Sequence, residues 1–113
     1  MEGKLPLFEE ILARKREERE QERLRLLALT IDALKTVAPR FAISKAYVTG
    51  SLCKEGRFHS HSDIDIAVAG LTKANYFTFM AAMQDLLPIQ VEVIELENCS
   101  FADKVIENGI KVV

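Results

Sequence analysis

The chain has only two cysteines, Cys53 and Cys99, in 113 residues, too few for the disulfide framework that stands in for a core in small secreted domains. It has no apolar run near the 18 or so residues that a membrane-spanning helix needs, and no leader pattern of the kind that directs secretion. A protein of a reducing cytoplasm with both thiols free is therefore expected. Positive charge is not in excess: 15 Lys and Arg stand against 17 Asp and Glu, a net charge of −2. No global basic field gathers nucleic acid, so direct nucleic-acid binding is not expected, although local basic patches remain open to it. There is no internal repeat and no low-complexity tract apart from one charged segment. With 49% hydrophobic and 28% charged residues, the chain makes one small globular domain with a modest core. It has no room for a separate substrate domain, so something else must supply any acceptor.

Glycine is absent between residues 5 and 38, and proline stands only at position 6 and just beyond, at Pro39. The Leu, Ala, Glu, Arg and Lys that fill this stretch predict one long helix, ended by Pro39. Its C-terminal half carries Leu24, Leu27, Ala28, Ile31, Leu34 and Ala38 at three- and four-residue steps, the stripe of a helix packed on a sheet. Its middle, Arg14 to Arg23, mixes both signs, with Arg14/Glu18 and Arg16/Glu20 four apart, and reads as a solvated helix. Ahead of it lie Leu5, Leu7, Phe8, Ile11 and Leu12, an apolar cluster that either folds back on the domain or meets a partner, including a second copy of the chain. The domain organisation is thus a long N-terminal helix over residues 1–40 and a catalytic-type domain over 41–113.

Beyond the helix, β-prone runs predict strands at 45–52, 63–69 and 89–96. Helices are expected at 73–87, through Ala74, Phe77, Met80, Ala81 and Leu87, and at 100–108, with Ser100 as N-cap and Gly109 as terminator. The class is α/β or α+β, a small mixed sheet covered by helices. Two features carry chemistry. Gly50-Ser51 closes the run Ala46-Tyr47-Val48, a strand-end turn whose N–H groups and hydroxyl could face an anion. After the eleven residues Leu52 to Ser62 come Asp63 and Asp65, and alternation along a strand puts both carboxylates on one face with Ile64 and Ile66 on the other. Paired acids of this kind hold a divalent cation such as Mg²⁺. A third acid is available at Glu92, inside Gln90-Val91-Glu92-Val93-Ile94, where its apolar neighbours suggest a buried carboxylate that needs a partner.

Gly-Ser, a short loop, Ser-Asp-x-Asp and a later acidic residue in a strand resemble the minimal nucleotidyltransferases of the DNA polymerase β superfamily. The order of elements over residues 41–113 and the closing Gly109-Ile110-Lys111-Val112-Val113 are similar too. This resemblance implies a polymerase β palm-like fold and a two-metal Mg²⁺ site at Asp63, Asp65 and Glu92. It further implies transfer of an NMP, with ATP or another NTP as donor, to a hydroxyl of a partner macromolecule, with pyrophosphate leaving. Gly50 and Ser51 would hold the β- or γ-phosphate, and Lys54 and Arg57 follow closely enough to neutralise triphosphate charge. Families of this kind often pair with a HEPN-type ribonuclease toxin, so the resemblance also implies an alternative, an antitoxin that neutralises such a protein by contact. The sequence departs from the pattern twice: the loop is one residue longer than usual, and Glu92 stands where Asp is commoner.

Competing explanations are weaker. Ordinary strand-capping acids would leave Glu92 and the Gly-Ser turn as coincidences. No Gly-Lys-Ser/Thr follows Gly50, so there is no P-loop. Asp-x-Asp phosphatases and glycosyltransferases resemble one another in placing the motif after an apolar strand, whereas here the strand comes after it. His59 and His61 lack a third nitrogen or sulfur ligand and read as solvated loop residues. Cys53, without a His or CxxC partner, reads as a small filler rather than a nucleophile. Glu95, on the face opposite Glu92, and Asp103 with Glu107, on a solvated helix face, take no role.

Overall fold

The computed structural model describes residues 7–113, so Leu5 and the start of the first predicted helix lie outside the described residues. Seven regular elements follow in order: α1 (Leu7–Val37), β1 (Lys45–Thr49), β2 (Ile64–Ala69), α2 (Tyr76–Leu86), β3 (Val91–Glu95), α3 (Ala102–Asn108) and β4 (Ile110–Lys111). Short 3₁₀ turns join several of them. The predicted strand 45–52 stops at Thr49 because Gly50 takes a φ of +72° and turns the chain into the 3₁₀ segment Gly50–Cys53. The helix expected from residue 73 is likewise 3₁₀ at Lys73–Asn75 before α2 begins.

The four strands form one mixed sheet in the order β3-β2-β1-β4. β1 runs antiparallel to β2 and β4, and β2 runs parallel to β3. Alternation divides the side chains between two layers. Ala46, Val48, Ile64, Ile66, Val68, Val91 and Val93 meet α1 and α2 in the main core with Leu34, Val37, Phe79 and Met83. Tyr47, Ala67 and Leu96 face the other way and pack on Val105 of α3 in a smaller cluster. Asp65 and Glu92 belong to this second face by register and parity, and α3 is too short to cover it all. An open strip of sheet remains at the end where β2 and β3 begin.

Two helical stripes match expectation in part: Leu34, Ala38 and Leu87 are buried and Leu27, Ile31 and Met80 pack against the core, but other expected members do not. On α1 the buried side chains are Arg23, Leu26, Thr30, Ala33, Leu34 and Val37, while Leu24 and Ala28 face solvent. Leucine occupies several sides of this segment, and the sheet selects the side that seats Leu26 and Leu34, worth about 1.5–3 kcal/mol each. Thr30 is tolerated there because its hydroxyl donates to the Leu26 carbonyl at 2.7 Å. On α2 the core residues are Phe79 and Met83, whereas Phe77 and Ala81, and Ala74 in the 3₁₀ turn before it, are exposed. α3 is preceded by Phe101 in the cap position with no side-chain cap bond, so Ser100 does not cap it. Gly109 does follow the helix, for a reason of space: a Cβ there would lie 2.6 Å from the Val105 carbonyl oxygen and 3.0 Å from that of Val48. Its bare backbone lets α3 turn directly against β1.

The charged middle of α1 is not wholly solvated. Arg23 is only 7% exposed, and its Nη1 donates to the Leu52 carbonyl at 3.0 Å. Its other donors engage Glu20, instead of the Arg16/Glu20 pair expected from spacing. The Glu20 carboxylate, held below its ordinary range chiefly by the Arg23 bond, also accepts the Gly56 N–H at 3.3 Å. One helical turn of α1 thus grips the loop that follows the Gly-Ser turn at its start, Leu52, and again at Gly56. Replacing Arg23 by Met strands the Leu52 carbonyl in a buried site, and a loss of about 1–3 kcal/mol is expected. Urea denaturation checks it; an unchanged midpoint would mean that the loop holds itself.

The described residues extend 64 Å by 28 Å by 19 Å, because the first half of α1 stands clear of the sheet. Along that arm Leu7 and Phe8 are 59% and 71% exposed, with Ile11 and Leu12 partly so. No helix is long and apolar enough to cross a membrane among the described residues.

Candidate active site

Strand register brings the acids of distant sequence segments together. Asp65 is paired with Thr49 of β1 on one side and with Glu92 of β3 on the other. Asp63 sits two positions before Asp65, just ahead of β2 and on the same parity. β3 is held at its start by two devices: the Ile64 N–H donates to the Gln90 carbonyl at 2.9 Å, and Gln84 of α2 accepts from Val91 N while donating to Ile89 O, at 2.9 and 2.7 Å. Glu92 is therefore placed by backbone, with little freedom to slip register. It is exposed, which corrects the expectation of a buried carboxylate. Apolar neighbours on a strand tell which residues share a face, and here the face of Glu92 is the open strip.

Asp65 feels the charge of both other acids. Partial burial, then the negative charges of Glu92 and Asp63, push its carboxyl up from 3.8 to about 6. Three acids in one small region repel one another, and a proton or a cation relieves the repulsion. The site is built around Gly50: an added Cβ there would lie 2.3 Å from Asp65 Oδ2. The carboxylate is tucked against a backbone that only glycine leaves bare. Asp65 and the Gly-Ser turn, read separately in the sequence, are in contact.

The turn opens onto a cleft of about 570 Å³, in the size range of small-molecule sites. One wall is Thr49, Gly50, Ser51, Lys54, Arg57 and His59; the other is α3, with Phe101, Lys104 and Asn108. The three acids do not line it. They adjoin it through Thr49 and Gly50, so cations and carboxylates occupy separate but touching zones. His61 is exposed and does not line the cleft. The Cys53 thiol donates to the Gly50 carbonyl at 3.1 Å, and burial raises its pKa. Such a thiol is a poor nucleophile. Glu95 lies across the sheet beside Lys73, Tyr76 and Phe77, away from the acids.

A metal fits the chemistry of this donor set. Hard carboxylate oxygens suit Mg²⁺, and the raised pKa of Asp65 marks charge in want of a counter-ion. Among the described residues no three acidic, histidine or cysteine side chains close into a ready-made cage. An open site that shares its cation with a ligand's oxygens agrees with both observations. Reasoning from the sequence missed Thr49, the α3 wall and the Arg23–Glu20 grip. The α3 wall has a faint signal, since Phe101, Lys104 and Asn108 recur at helical spacing.

Comparison with known proteins adds an independent line. A family model described as polymerase beta, nucleotidyltransferase, matches residues 32–113. A crystal structure from Sulfolobus solfataricus, of a protein provisionally described as a nucleotidyltransferase, superposes with a TM-score of 0.50 at 23% identity, covering 80% of this chain and 82% of that one. At that identity the likeness speaks for the fold alone. No curated protein matches the chain.

Proposed function

Because the chain belongs to the polymerase β nucleotidyltransferase family, we propose that it transfers an NMP, with ATP as the donor, to a hydroxyl on a partner macromolecule. The observation that carries this is the contact between Asp65 and the bare backbone of Gly50, which joins an acidic zone to an anion-binding turn. Asp63, Asp65 and Glu92 would hold Mg²⁺, whose bound form neutralises triphosphate charge and lowers the barrier to displacement at phosphorus. Ser51 and the N–H groups of the turn would take the β- or γ-phosphate, with Lys54 and Arg57 beside them in the cleft wall. The acceptor oxygen forms a bond to the α-phosphorus as the bond to pyrophosphate breaks, and the acceptor's proton passes to the exposed carboxylate of Glu92.

The direct test is incubation with α-labelled ATP, Mg²⁺ and whatever protein or RNA co-purifies with the chain. Covalent label on that partner, lost on chelation, is expected. Label from γ-labelled ATP instead, or none from any of the four NTPs, would overturn the proposal.

The exposed Leu7, Phe8, Ile11 and Leu12 on the free arm of α1 favour a second reading of the same protein, in which the arm engages a HEPN-type ribonuclease and neutralises it by contact, with weak or no catalysis. The two readings part at the Asp63→Ala/Asp65→Ala double variant. Neutralisation that survives it supports contact, and neutralisation that is lost supports chemistry.

A further inference from the structure

The proposed chemistry uses one wall of the cleft and leaves the other unexplained. Phe101, the cap residue just before α3, and Lys104 and Asn108 of α3 stand at steps of three and four, and all three line the cleft. Asn108 is nearest the Gly-Ser turn, since its carbonyl lies 3.8 Å from the Cys53 sulfur. Phe101 is two turns further out and 51% exposed. Val105 of the same helix does the packing against Tyr47, so Phe101 is not needed for the core. An exposed aromatic ring that faces Lys54 and Arg57 across a nucleotide-sized cleft has one obvious chemistry, an aromatic platform beside an anion-binding wall.

We propose that α3 is the nucleoside-binding wall of the site. Phe101 stacks on the base of the nucleoside triphosphate, and Lys104 adds a third cation to Lys54 and Arg57 along its phosphates. This rests on the nucleotidyltransferase reading and extends it to the part of the ligand that does not react. The carboxylates stand outside the cleft, at its Thr49–Gly50 rim. A ligand whose α-phosphate reaches that rim leaves both its β- and γ-phosphates and its nucleoside to be held by the cleft walls. Stacking is tolerant of base identity, because every base has a π-face, so the wall selects nucleotides over bare polyphosphate without choosing among bases.

The test is calorimetric binding to the full chain in Mg²⁺, with ATP, GTP and inorganic tripolyphosphate as separate probes. The unaltered protein should bind both nucleotides more tightly than tripolyphosphate. Phe101→Ala should weaken the nucleotides by about five- to a hundred-fold, the range found for lost base stacking, and leave tripolyphosphate unchanged, while Phe101→Tyr restores nucleotide binding. Lys104→Gln should weaken all three probes. Nucleotide affinity unchanged in Phe101→Ala would overturn the inference and leave the nucleotide site standing. Equal weakening of tripolyphosphate by Phe101→Ala would overturn it as well, by showing that the ring only shapes the cleft. If the unaltered chain binds none of the probes, the nucleotidyltransferase reading itself fails.

Discussion

Asp65→Asn is expected to lower nucleotide transfer by about 10³-fold or more while raising the melting temperature of the metal-free protein at neutral pH. The first effect follows from removing a charge that a bound cation needs, a loss of several kcal/mol at about 1.4 kcal/mol per tenfold. The second follows first from the partial burial of the carboxyl and then from the crowding of the acids. In the native protein the carboxyl takes up its proton near pH 6, against an ordinary value of 3.8. The native state therefore binds more protons between those two values. Asp65's contribution to stability is complete below the lower one and is lost as pH rises through about 6, where the charge meets Glu92 and Asp63. Asparagine keeps the shape and removes the charge. Melting curves without metal from pH 4 to 8 should fall more steeply for the original protein than for the variant. Divalent-ion binding should weaken as pH drops through about 6, because the proton competes for the same oxygens. Transfer within tenfold of the original in Asp65→Asn would sink the assignment of the acids.

Gly50→Ala is expected to cost about 10²-fold in transfer and only about 1–2 kcal/mol in stability. The stability cost comes from φ, which at +72° lies where an L side chain is strained. The activity cost comes from the new Cβ, 2.3 Å from Asp65 Oδ2. The atom it strikes is the free end of a side chain, so the fold yields easily by swinging the carboxylate aside. That movement is small for stability, yet a displacement on the order of 1 Å at reacting groups costs about 10²-fold. Urea melts and initial rates on one preparation separate the two effects. Combining Gly50→Ala with Asp65→Asn should lose no more activity than Asp65→Asn alone, since both act on one carboxylate. Additive losses would show that Gly50 serves the phosphates independently of Asp65.

Much of the fold and of the candidate site was legible because it is written in local periodicity. The alternation Asp63-Ile64-Asp65-Ile66 placed two carboxylates opposite a core, and the positions of glycine and proline marked where elements change. What was not legible depends on contacts between distant segments. Leu24, Leu26, Leu27 and Leu29 point in several directions, so spacing placed Leu27, Ile31 and Leu34 on the packed side but left out Leu26, Thr30 and Arg23, which contacts with distant segments bury. Alternation placed Glu92 on a face but could not say whether anything covered that face. The cleft joins Ser51 and Lys54 to residues some fifty positions later, and no short window contains both walls.

The free half of α1 bears on how this protein would behave in bulk measurement. Its radius of gyration is 17.1 Å, against about 13 Å for a compact chain of this length. A single molecule with such a lever drags more solvent than its mass warrants. On a sizing column it would elute ahead of globular standards, towards the position of a dimer, and it would sediment slowly for its weight. Elution volume alone would therefore give a single copy the look of a pair. Light scattering or native mass spectrometry, which weigh the particle without assuming a sphere, is the way to count its copies.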